Sequence, residues 1–396
     1  MPSAPNESNE LVGTIPGLSR PQTAMHAAGD AEFARVFGAV EGLGPVFVAA
    51  SCESCHVGDG KGHPMFNITR FGRVVGADFD PMRSAGGPQL QDRSVLGYIR
   101  ENLPAAATGV ARFTAPAVTG LGLLEAVDDT TLLNLEDPND LNSDGISGRV
   151  QLVEANDLLA RVTSLEAIAA EGPPSRGIKF GCCFIGRFGK KALSVNLLQQ
   201  IVTAYHEDMG ITSDLIPDEI FNPQVGAFTG DGAPEPEVPA SVVNAVVFYI
   251  KTLRAPPRRN LTNADVIAGQ QLFTTGPCAS CHLPQLTTGA SSIASLHRVS
   301  FAPYTDLLLH DMGADLDDGY TEGRATTSEW RTAPLWGLGL AARAQGGAMH
   351  LLHDGRAKSI PEAVAFHGGE GAASRSWFTG LTAAQRRQLI AYLMSL

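Results

Sequence analysis

Two copies of the pattern Cys-x-x-Cys-His carry the most specific chemistry in this chain. In this pattern two thiols add across the vinyl groups of a porphyrin, and the adjoining histidine ligates its iron. The sequence therefore predicts two covalently bound haem c groups. The residues that would hold them are Cys52, Cys55 and His56 in the first copy and Cys278, Cys281 and His282 in the second.

Two other uses of the same residues have to be weighed. Four-thiolate zinc sites would need a further Cys-x-x-Cys pair, and the two motifs already use four of the six cysteines. Redox dithiols of thioredoxin type would leave both trailing histidines unexplained and would need a βαβ setting that the sequence lacks. Haem binding is the interpretation that uses every residue of both motifs.

The remaining cysteines, Cys182 and Cys183, are adjacent. They can form a vicinal disulfide, pair between chains, or stay buried as small hydrophobic side chains. Neither has a neighbouring histidine that would activate it. We therefore favour a structural role for both.

Composition narrows the classes of partner. With 396 residues, of which 44% are hydrophobic, the chain can build two or three domains, and it has no run of eighteen apolar residues that would span a membrane. The 29 basic and 41 acidic residues give a net charge of −12, which argues against nucleic acid and anionic membranes as partners. This charge suits a basic or dipolar electron-transfer protein, although acidity is also a common way to stay soluble.

Covalent haem attachment takes place outside the cytoplasm, so we expect a periplasmic protein. The opening residues Met1 to Ala4 begin a polar stretch without the charged and apolar regions of a signal peptide. We therefore expect that an export signal has been removed from this sequence.

The elements that must position the two motifs occur twice, in the same order. A segment expected to be helical precedes each motif and ends at Val46-Phe47 and at Leu272-Phe273. After each motif comes Thr-Ala-Pro followed by Gly-Leu-Gly-Leu, at 114–123 and at 332–340. Two such units predict two haem domains.

Each half then closes with an apolar helix, Val242 to Leu253 in the first and Gln385 to Leu396 in the second. Thr382 and Gln385 form a capping box at the start of the second closing helix. Paired prolines at 256 and 257 mark the seam between the halves.

The predicted fold is mainly α, with two cytochrome c-like haem domains and long loops, because strand signals are weak throughout. The predicted boundaries are an N-terminal extension at 1–27, a first haem domain at 28–254 and a second at 262–396. The first domain is much longer than the second, so it must carry an insertion. We place that insertion around 128–240, which holds Gly-rich and Pro-rich segments.

Several stretches resemble bacterial di-haem oxidoreductases related to di-haem cytochrome c peroxidases. Together they span almost the whole chain, and their number and order make the resemblance specific. They are Gly42–Pro45, Gly120–Glu125, Asp144–Arg149, Gly186–Gly189, Asp208–Thr212, Leu307–Gly313 and Trp330–Glu370. One departure is Lys190, which stands where the family commonly has a tryptophan, and it puts an aromatic relay at that position in doubt.

The resemblance implies roles for four further residues. His367 falls where di-haem peroxidases have a methionine ligand and where the enzyme that matures the methylamine dehydrogenase cofactor has a tyrosine, so His367 is expected as the sixth ligand of the second haem. His353 and Arg356 resemble a family loop near that haem, which implies a supporting or propionate-binding role. Glu125 matches a family-typical acid and is the expected proton-handling residue in peroxide cleavage, with Glu136 and Asp137 as competitors.

The residues themselves leave the other axial positions open. His310 and Met312 can also ligate iron, although packing under a haem explains them as well. For the first haem, His63 lies only seven residues beyond His56, so its tether would have to run nearly straight past the haem edge, and His206 is a weaker option. We expect the first iron to be open or loosely held, and hence to be the site where peroxide reacts.

A calcium site is the remaining candidate. Asp140, Asn142 and Asp144, followed by Gly145, have the alternating oxygen donors and turn glycine of a calcium loop. The twelfth position is Gln151 rather than a bidentate glutamate, so a complete EF-hand is not expected. Calcium bound by part of this loop, as between the domains of peroxidase relatives, competes with a plain Asx-turn loop.

These observations predict a periplasmic di-haem oxidoreductase of peroxidase type. In this hypothesis a small redox protein, a cytochrome c or a cupredoxin, supplies electrons to the second haem, and the first haem reduces hydrogen peroxide. Two alternatives stay open: a di-haem oxidase that modifies a protein partner, and a di-haem electron carrier without substrate chemistry. Fold analogy cannot choose among them, because function depends on the pockets beside the irons.

Overall fold

The computed structural model describes residues 11, 13–76, 78–169, 176–226 and 230–396. Much of the expected N-terminal extension, 1–10 and 12, therefore lies outside the described residues, as do 170–175 and 227–229 of the expected insertion. The division into domains at 254 and 262 stays a prediction. Among the described residues, no helix is both long enough and apolar enough to cross a membrane.

Helices carry more of the described chain than strands do. The helices are α1 (Arg20–Phe33), α2 (Cys52–Cys55), α3 (Leu121–Glu125), α4 (Asp129–Leu135), α5 (Asp157–Ala169), α6 (Leu197–Met209), α7 (Ala240–Thr252), α8 (Ala264–Thr275), α9 (Ala341–Ala344), α10 (Ile360–Ala365), α11 (Ala372–Gly380) and α12 (Ala383–Ser395). Both predicted closing helices are present, as α7 and α12, and Thr382 and Gln385 form the expected capping box.

The strands are short and pair antiparallel. They are β1 (Val46–Phe47), β2 (Ile68–Val75), β3 (Asp78–Asp80), β4 (Arg93–Ser94), β5 (Gly109–Phe113), β6 (Gln151–Glu154), β7 (Cys183–Gly186), β8 (Leu286–Thr287), β9 (Ser300–Phe301), β10 (Leu309–Asp311) and β11 (Glu329–Arg331). The largest sheet in the described chain has the order β3-β2-β5, and the others are two-stranded. The fold is thus mixed, and the expectation of a mainly α chain holds only in part.

One predicted helix end is wrong. Val46-Phe47 forms strand β1, paired with β4, instead of ending a helix before the first motif. The helix of that half, α1, ends earlier at Phe33. Gly44 adopts a left-handed φ of 99° and is followed by Pro45, and both features interrupt a helix. The matching prediction for Leu272-Phe273 is correct, because both residues lie in α8.

A crossed helix pair occurs once in each half. In the first half α1 packs on α7, and a Cβ at Gly29 would lie 2.1 Å from the carbonyl oxygen of Ala245. In the second half α8 packs on α12, and a Cβ at Gly269 would lie 2.0 Å from the carbonyl oxygen of Gln388. Both crossings therefore require glycine. They give the two halves the same helical frame around their motifs.

Two hydrophobic clusters hold these frames together. The larger cluster packs α6 and α7 against α1 and β7, and the smaller packs α8, α10 and α12. Arg187 is buried beside the larger cluster and donates hydrogen bonds to the carbonyl oxygens of Glu125 and Val127 at 2.9 and 2.7 Å and to the carboxylate of Asp129. This guanidinium thus satisfies the backbone at the end of α3 and fixes the start of α4.

The helix crossing at Gly269 gives a stability prediction. We expect Gly269→Ala to lower the free energy of unfolding by about 1–3 kcal/mol, the usual cost of overpacking, because the new methyl group meets backbone. Gly380→Ala is the matched control, since a Cβ there has nothing within 4 Å. Denaturant unfolding of both variants checks this. Equal stability of Gly269→Ala and wild type would contradict the close contact between α8 and α12.

Candidate haem sites

A cavity of about 960 Å³ is lined by residues of both Cys-x-x-Cys-His motifs. This volume is at the upper end of the range of about 300–1,000 Å³ in which small-molecule and cofactor sites fall. The lining is mostly apolar and comes from both halves of the chain, including Phe33, Phe188, Phe273 and Trp336. The fold therefore brings the two motifs to a common space.

The first motif lies on the short helix α2. Ser51 caps this helix by accepting a hydrogen bond from the Ser54 amide at 3.1 Å. Burial raises the pKa of the Cys52 and Cys55 thiols to about 12, so both are neutral, and neither forms a disulfide. Nδ1 of His56 donates a hydrogen bond to the carbonyl oxygen of Pro116 at 2.7 Å. The proton is thereby fixed on Nδ1, and Nε2 keeps its lone pair.

The second motif repeats this arrangement. Cys278 lies in a 3₁₀ turn that begins at Pro277, and Cys281 follows it. Nδ1 of His282 donates to the carbonyl oxygen of Tyr304 at 2.9 Å. Burial lowers the pKa of His282 to about 4, as it does for His56, so both rings are neutral. A neutral imidazole is the form that ligates a metal.

His367 has the same geometry. It follows α10, and its Nδ1 donates to the carbonyl oxygen of Ala363 at 2.8 Å. His367 lines the cavity, and it lies close enough to His282 to lower the pKa of that ring. Nε2 of His56, His282 and His367 has no hydrogen-bond partner among the described residues. A ligating histidine commonly donates its other ring N–H to a backbone carbonyl in this way.

His310 cannot serve as an axial ligand in this arrangement. Its Nε2 lies 2.8 Å from a carboxylate oxygen of Asp306 and its Nδ1 lies 2.6 Å from one of Glu370. Burial would lower the pKa of His310, but its hydrogen bonds with Asp306, Cys281 and Glu370 raise that pKa to about 12. The ring is therefore a cation without a free lone pair. Met312, the other sequence candidate, does line the cavity.

His353 lies between the halves of the chain rather than only beside the second motif. Its backbone carbonyl accepts a hydrogen bond from the amide of Thr114, in the first half. Its ring stacks on Trp330 with the centroids 3.6 Å apart and the planes 5° apart. Arg356 pairs with Asp354 at 2.7 Å and does not line the cavity. The structure thus gives His353 a place in the cavity wall and Arg356 a place in the loop behind it.

The other histidines of the first half do not face His56. Nδ1 of His63 accepts a hydrogen bond from the Met65 amide at 3.1 Å, and its ring lies against His350. Nε2 of His206 donates to the carbonyl oxygen of Asp218 at 3.0 Å. Neither residue lines the cavity. Neither of these two sequence candidates is therefore available to the first motif.

Glu125 occupies a structural position. Its carboxylate accepts a hydrogen bond from the Leu197 amide at 2.7 Å and pairs with Lys251 at 2.9 Å. Leu197 begins α6, so the negative carboxylate also interacts favourably with the positive end of that helix dipole. Glu125 does not line the cavity. The carboxylate joins α3, α6 and α7, and its predicted role in proton transfer gains no support from this placement.

Sequence reasoning missed the acidic residues that do line the cavity near the first motif. Glu207 pairs with Arg70 at 2.8 Å, and Glu322 lies 3.7 Å from the same guanidinium. Glu207 directly precedes the family-typical stretch that begins at Asp208, which was a signal for it. Glu322 comes from a loop of the second half, and no pattern in the sequence pointed to it.

An aromatic residue is present in the cavity wall, though not at Lys190. Lys190 lines the cavity, and burial holds the pKa of its ammonium well below the usual value. Trp330 lines the same cavity, with the ammonium of Lys191 3.8 Å from its ring centroid. The family-typical stretch that starts at Trp330 contained this residue, but its side chain had no assigned role.

The calcium candidates satisfy the amides of their own loop. Asp140 accepts hydrogen bonds from the amides of Asp144 and Gly145, and Asn142 accepts one from Asp144. Asp144 in turn accepts from the amide of Ile146 at 2.9 Å. This is the bonding of an Asx-turn loop; Asn142 and Asp144 are exposed, and Asp140 is half-buried. Calcium binding by the loop stays a prediction.

Cys182 and Cys183 form a vicinal disulfide. Nη2 of Arg324 lies 3.5 and 3.4 Å from the two sulfur atoms. Cys183 opens strand β7, which pairs with β6 at Glu154. The pair therefore closes one end of this sheet, in agreement with the structural role favoured from the sequence.

The site residues fit two haem groups: two thiols and one neutral histidine at each motif, around one apolar cavity. This defines a class of protein that binds two haems. A family model described as "Di-haem oxidoreductase, putative peroxidase" matches residues 105–396. The chain therefore belongs to this di-haem oxidoreductase family. The first motif precedes the matched stretch, so its assignment rests on the residues at 52–56.

Two solved structures show weaker likeness. Hydrazine synthase from Kuenenia stuttgartiensis shares 16% identity over 39% of this chain and 55% of its own, with a TM-score of 0.27. This chain thus spans about half the length of that relative. A MauG-like protein associated with microbial copper homeostasis shares 16% identity over 52% of this chain and 68% of its own, with a TM-score of 0.31. No curated protein matches the chain significantly.

The two engaged nitrogens of His310 give a pH prediction. Because the folded pKa lies above the unfolded value of 6.5, stabilisation by protonated His310 is complete below about pH 6.5 and is lost as pH rises toward 12. The stability difference between wild type and His310→Gln should therefore fall by about 1.4 kcal/mol per pH unit between pH 7 and 9. Denaturant unfolding at several pH values measures this. A difference that does not change with pH would mean that His310 is neutral.

Proposed function

We propose that this protein is a periplasmic di-haem c-type oxidoreductase that reduces hydrogen peroxide at its first haem. The observation that carries the proposal is the common geometry of His56, His282 and His367. Each has Nδ1 tied to a backbone carbonyl and Nε2 left for a metal, and all three line one cavity. Family membership supports haem as the cofactor.

The four cysteines of the motifs would hold the haems covalently through thioether bonds. All four are free thiols that line the cavity, and each pair precedes its histidine directly. A haem iron, when bound, exchanges single electrons and can bind peroxide at an open axial position. The mostly apolar lining lowers the local dielectric, which strengthens electrostatic interactions with a small polar molecule inside.

The two sites differ in the groups that face their histidines. His367 lies near His282, so the second site has two imidazoles and suits an electron-transfer haem. His63 and His206, the sequence candidates for the first site, do not line the cavity, and this suits an open, reactive first haem. Electrons from a small redox protein, a cytochrome c or a cupredoxin, would enter at the second site and pass to the first. The net charge of −12 favours a basic or dipolar surface on that donor.

Covalent attachment gives the first test. Intact-mass measurement of wild type should show two haems, and Cys52→Ala and Cys278→Ala should each weaken attachment of one haem at the altered motif. Digestion should place the surviving thioether bonds at Cys55 and Cys281. The control is Cys182→Ala, because that cysteine is outside both motifs and should not alter haem content. If either of the first two variants attaches both haems as fully as wild type does, the assignment is contradicted.

The second test asks whether the two haem sites have different axial ligands. Oxidised wild type should show a low-spin bis-imidazole signal by electron paramagnetic resonance, and His367→Ala should abolish it. His310→Gln is the matched control and should keep that signal, because His310 has no free lone pair. If His310→Gln abolishes the signal and His367→Ala does not, the ligand is His310.

Reaction with peroxide separates this function from the alternatives. Half-reduced wild type should consume hydrogen peroxide with the electron donor present. A protein that forms no product with peroxide but still exchanges electrons would be an electron carrier. A protein that reacts with peroxide and then oxidises residues of a partner would be a protein-modifying oxidase.

A further inference from the structure

Two buried polar side chains of the cavity wall come from one loop of the second half. Tyr320 is 2% exposed and Glu322 is 6% exposed, and both line the cavity. Neither the Tyr320 hydroxyl nor the Glu322 carboxyl has a hydrogen-bond partner among the described residues. Because both side chains line the cavity, they are placed to contact a small polar molecule bound there.

Arg70 completes this group. Its Nη1 donates to Glu207 at 2.8 Å, whereas its Nη2 lies 3.7 Å from the nearest carboxyl oxygen of Glu322, which is beyond hydrogen-bond distance. Its Nε is buried and has no hydrogen-bond partner in the described chain. Donor positions on Arg70 thus lie beside the Glu322 carboxyl, and the charges of both residues act on the Tyr320 hydroxyl. All three side chains line the cavity, where a small molecule with polar oxygen atoms would meet them.

The group lies at the first motif. Arg70 is on β2, which begins two residues after Phe66, and the carbonyl oxygen of Phe66 lies 3.9 Å from the Cys55 sulfur. On the other side, Asp208 follows Glu207 and is close enough to raise the pKa of the Cys52 and Cys55 thiols further. Arg70 and Glu207 therefore lie toward the first motif, and the 3.7 Å ion pair with Arg70 places the Glu322 carboxyl in the same part of the cavity wall.

The surroundings of Glu322 act on the pKa of its carboxyl in opposite directions. Burial raises the pKa of its carboxyl above the usual value, the charge of Arg70 partly offsets this effect, and Glu207 adds to it. Lys191 is the other charged group that acts on it. Burial thus favours the neutral acid, whereas Arg70 and Lys191 favour the carboxylate that can accept a proton. A carboxyl that both accepts and returns a proton is the requirement of general acid–base catalysis.

We propose that Glu322 is the proton-transferring residue of peroxide reduction at the first haem, with Arg70 and Tyr320 orienting the peroxide. The inference rests on the proposed function. Hydrogen peroxide takes up two electrons from the redox partner and two protons from solvent, its O–O bond breaks, and two water molecules form. Glu322 accepts the proton from one peroxide oxygen and returns it to the other, which leaves as water. This replaces Glu125 in the role expected from the sequence.

The test uses the haem-loaded protein and Glu322→Gln, which keeps the shape of the side chain but cannot transfer the proton. The rate with hydrogen peroxide should fall by at least about 100-fold, the lower end for loss of a general acid–base. A second measurement is the rate of cyanide binding to the oxidised protein. Hydrogen cyanide must lose its proton to bind as an anion, so this rate should fall as well.

Matched variants define the control and the competitor. Glu154→Gln alters another carboxyl of the cavity wall whose side chain is 78% exposed, and it should leave both rates unchanged. Glu125→Gln tests the sequence-based expectation in the same assays. If Glu322→Gln fails to fold, Glu322→Asp and Tyr320→Phe replace it, with the first expected to keep part of the rate and the second to lose part of it.

The outcomes separate this inference from the proposed function. Wild type that ignores peroxide but binds cyanide more slowly after Glu322→Gln would end the peroxidase proposal and support Glu322 as the proton acceptor. Wild-type rates for Glu322→Gln in both assays would overturn the inference and leave the function standing. If both rates fall in Glu125→Gln and not in Glu322→Gln, Glu125 is the proton-transferring residue.

Discussion

The hydrogen bond from a histidine Nδ1 to a backbone carbonyl is the interaction on which the sites depend. It occurs at His56, His282 and His367, with carbonyl partners from Pro116, Tyr304 and Ala363. Because a carbonyl can only accept, the bond fixes the proton on Nδ1 and leaves the Nε2 lone pair for iron. It also restrains the ring plane, so each backbone segment that supplies a carbonyl orients a ligand.

In each half, a pair of packed helices frames the haem-binding motif. Each pair crosses at a glycine, Gly29 of α1 against α7 and Gly269 of α8 against α12, and no side chain could fit at either crossing. The C-terminal half also reaches across to the first motif, where Lys61 donates to the carbonyl oxygen of Leu352 at 2.8 Å and the Thr114 amide bonds to His353. The cavity is therefore built by both halves together. This explains how a loop residue of the second half, Glu322, comes to lie beside Arg70.

The sequence could predict those features that depend on residues close together in the chain. Cys-x-x-Cys-His is a local pattern, and so is the capping box at Thr382, so both could be found without a structure. The strand at Val46 was missed because its partner, β4, lies far along the chain. The sequence predicts a proton-transfer role for Glu125 because it shows that an acid is present. It cannot show that the carboxylate pairs with Lys251 and accepts a hydrogen bond from the Leu197 amide. Glu322 and Tyr320 gave no signal in the sequence, because only the folded chain brings them beside Arg70 in the cavity wall.

The central claim is that this cavity holds two irons with unequal ligands. Diffraction from crystals of the haem-loaded protein, recorded on both sides of the iron absorption edge, tests it most directly. The account predicts two iron peaks, one bonded to Nε2 of His56 and one bonded to Nε2 of both His282 and His367, with a free or water-filled position opposite His56. A single iron peak, or two irons each held between a pair of histidines, would contradict it.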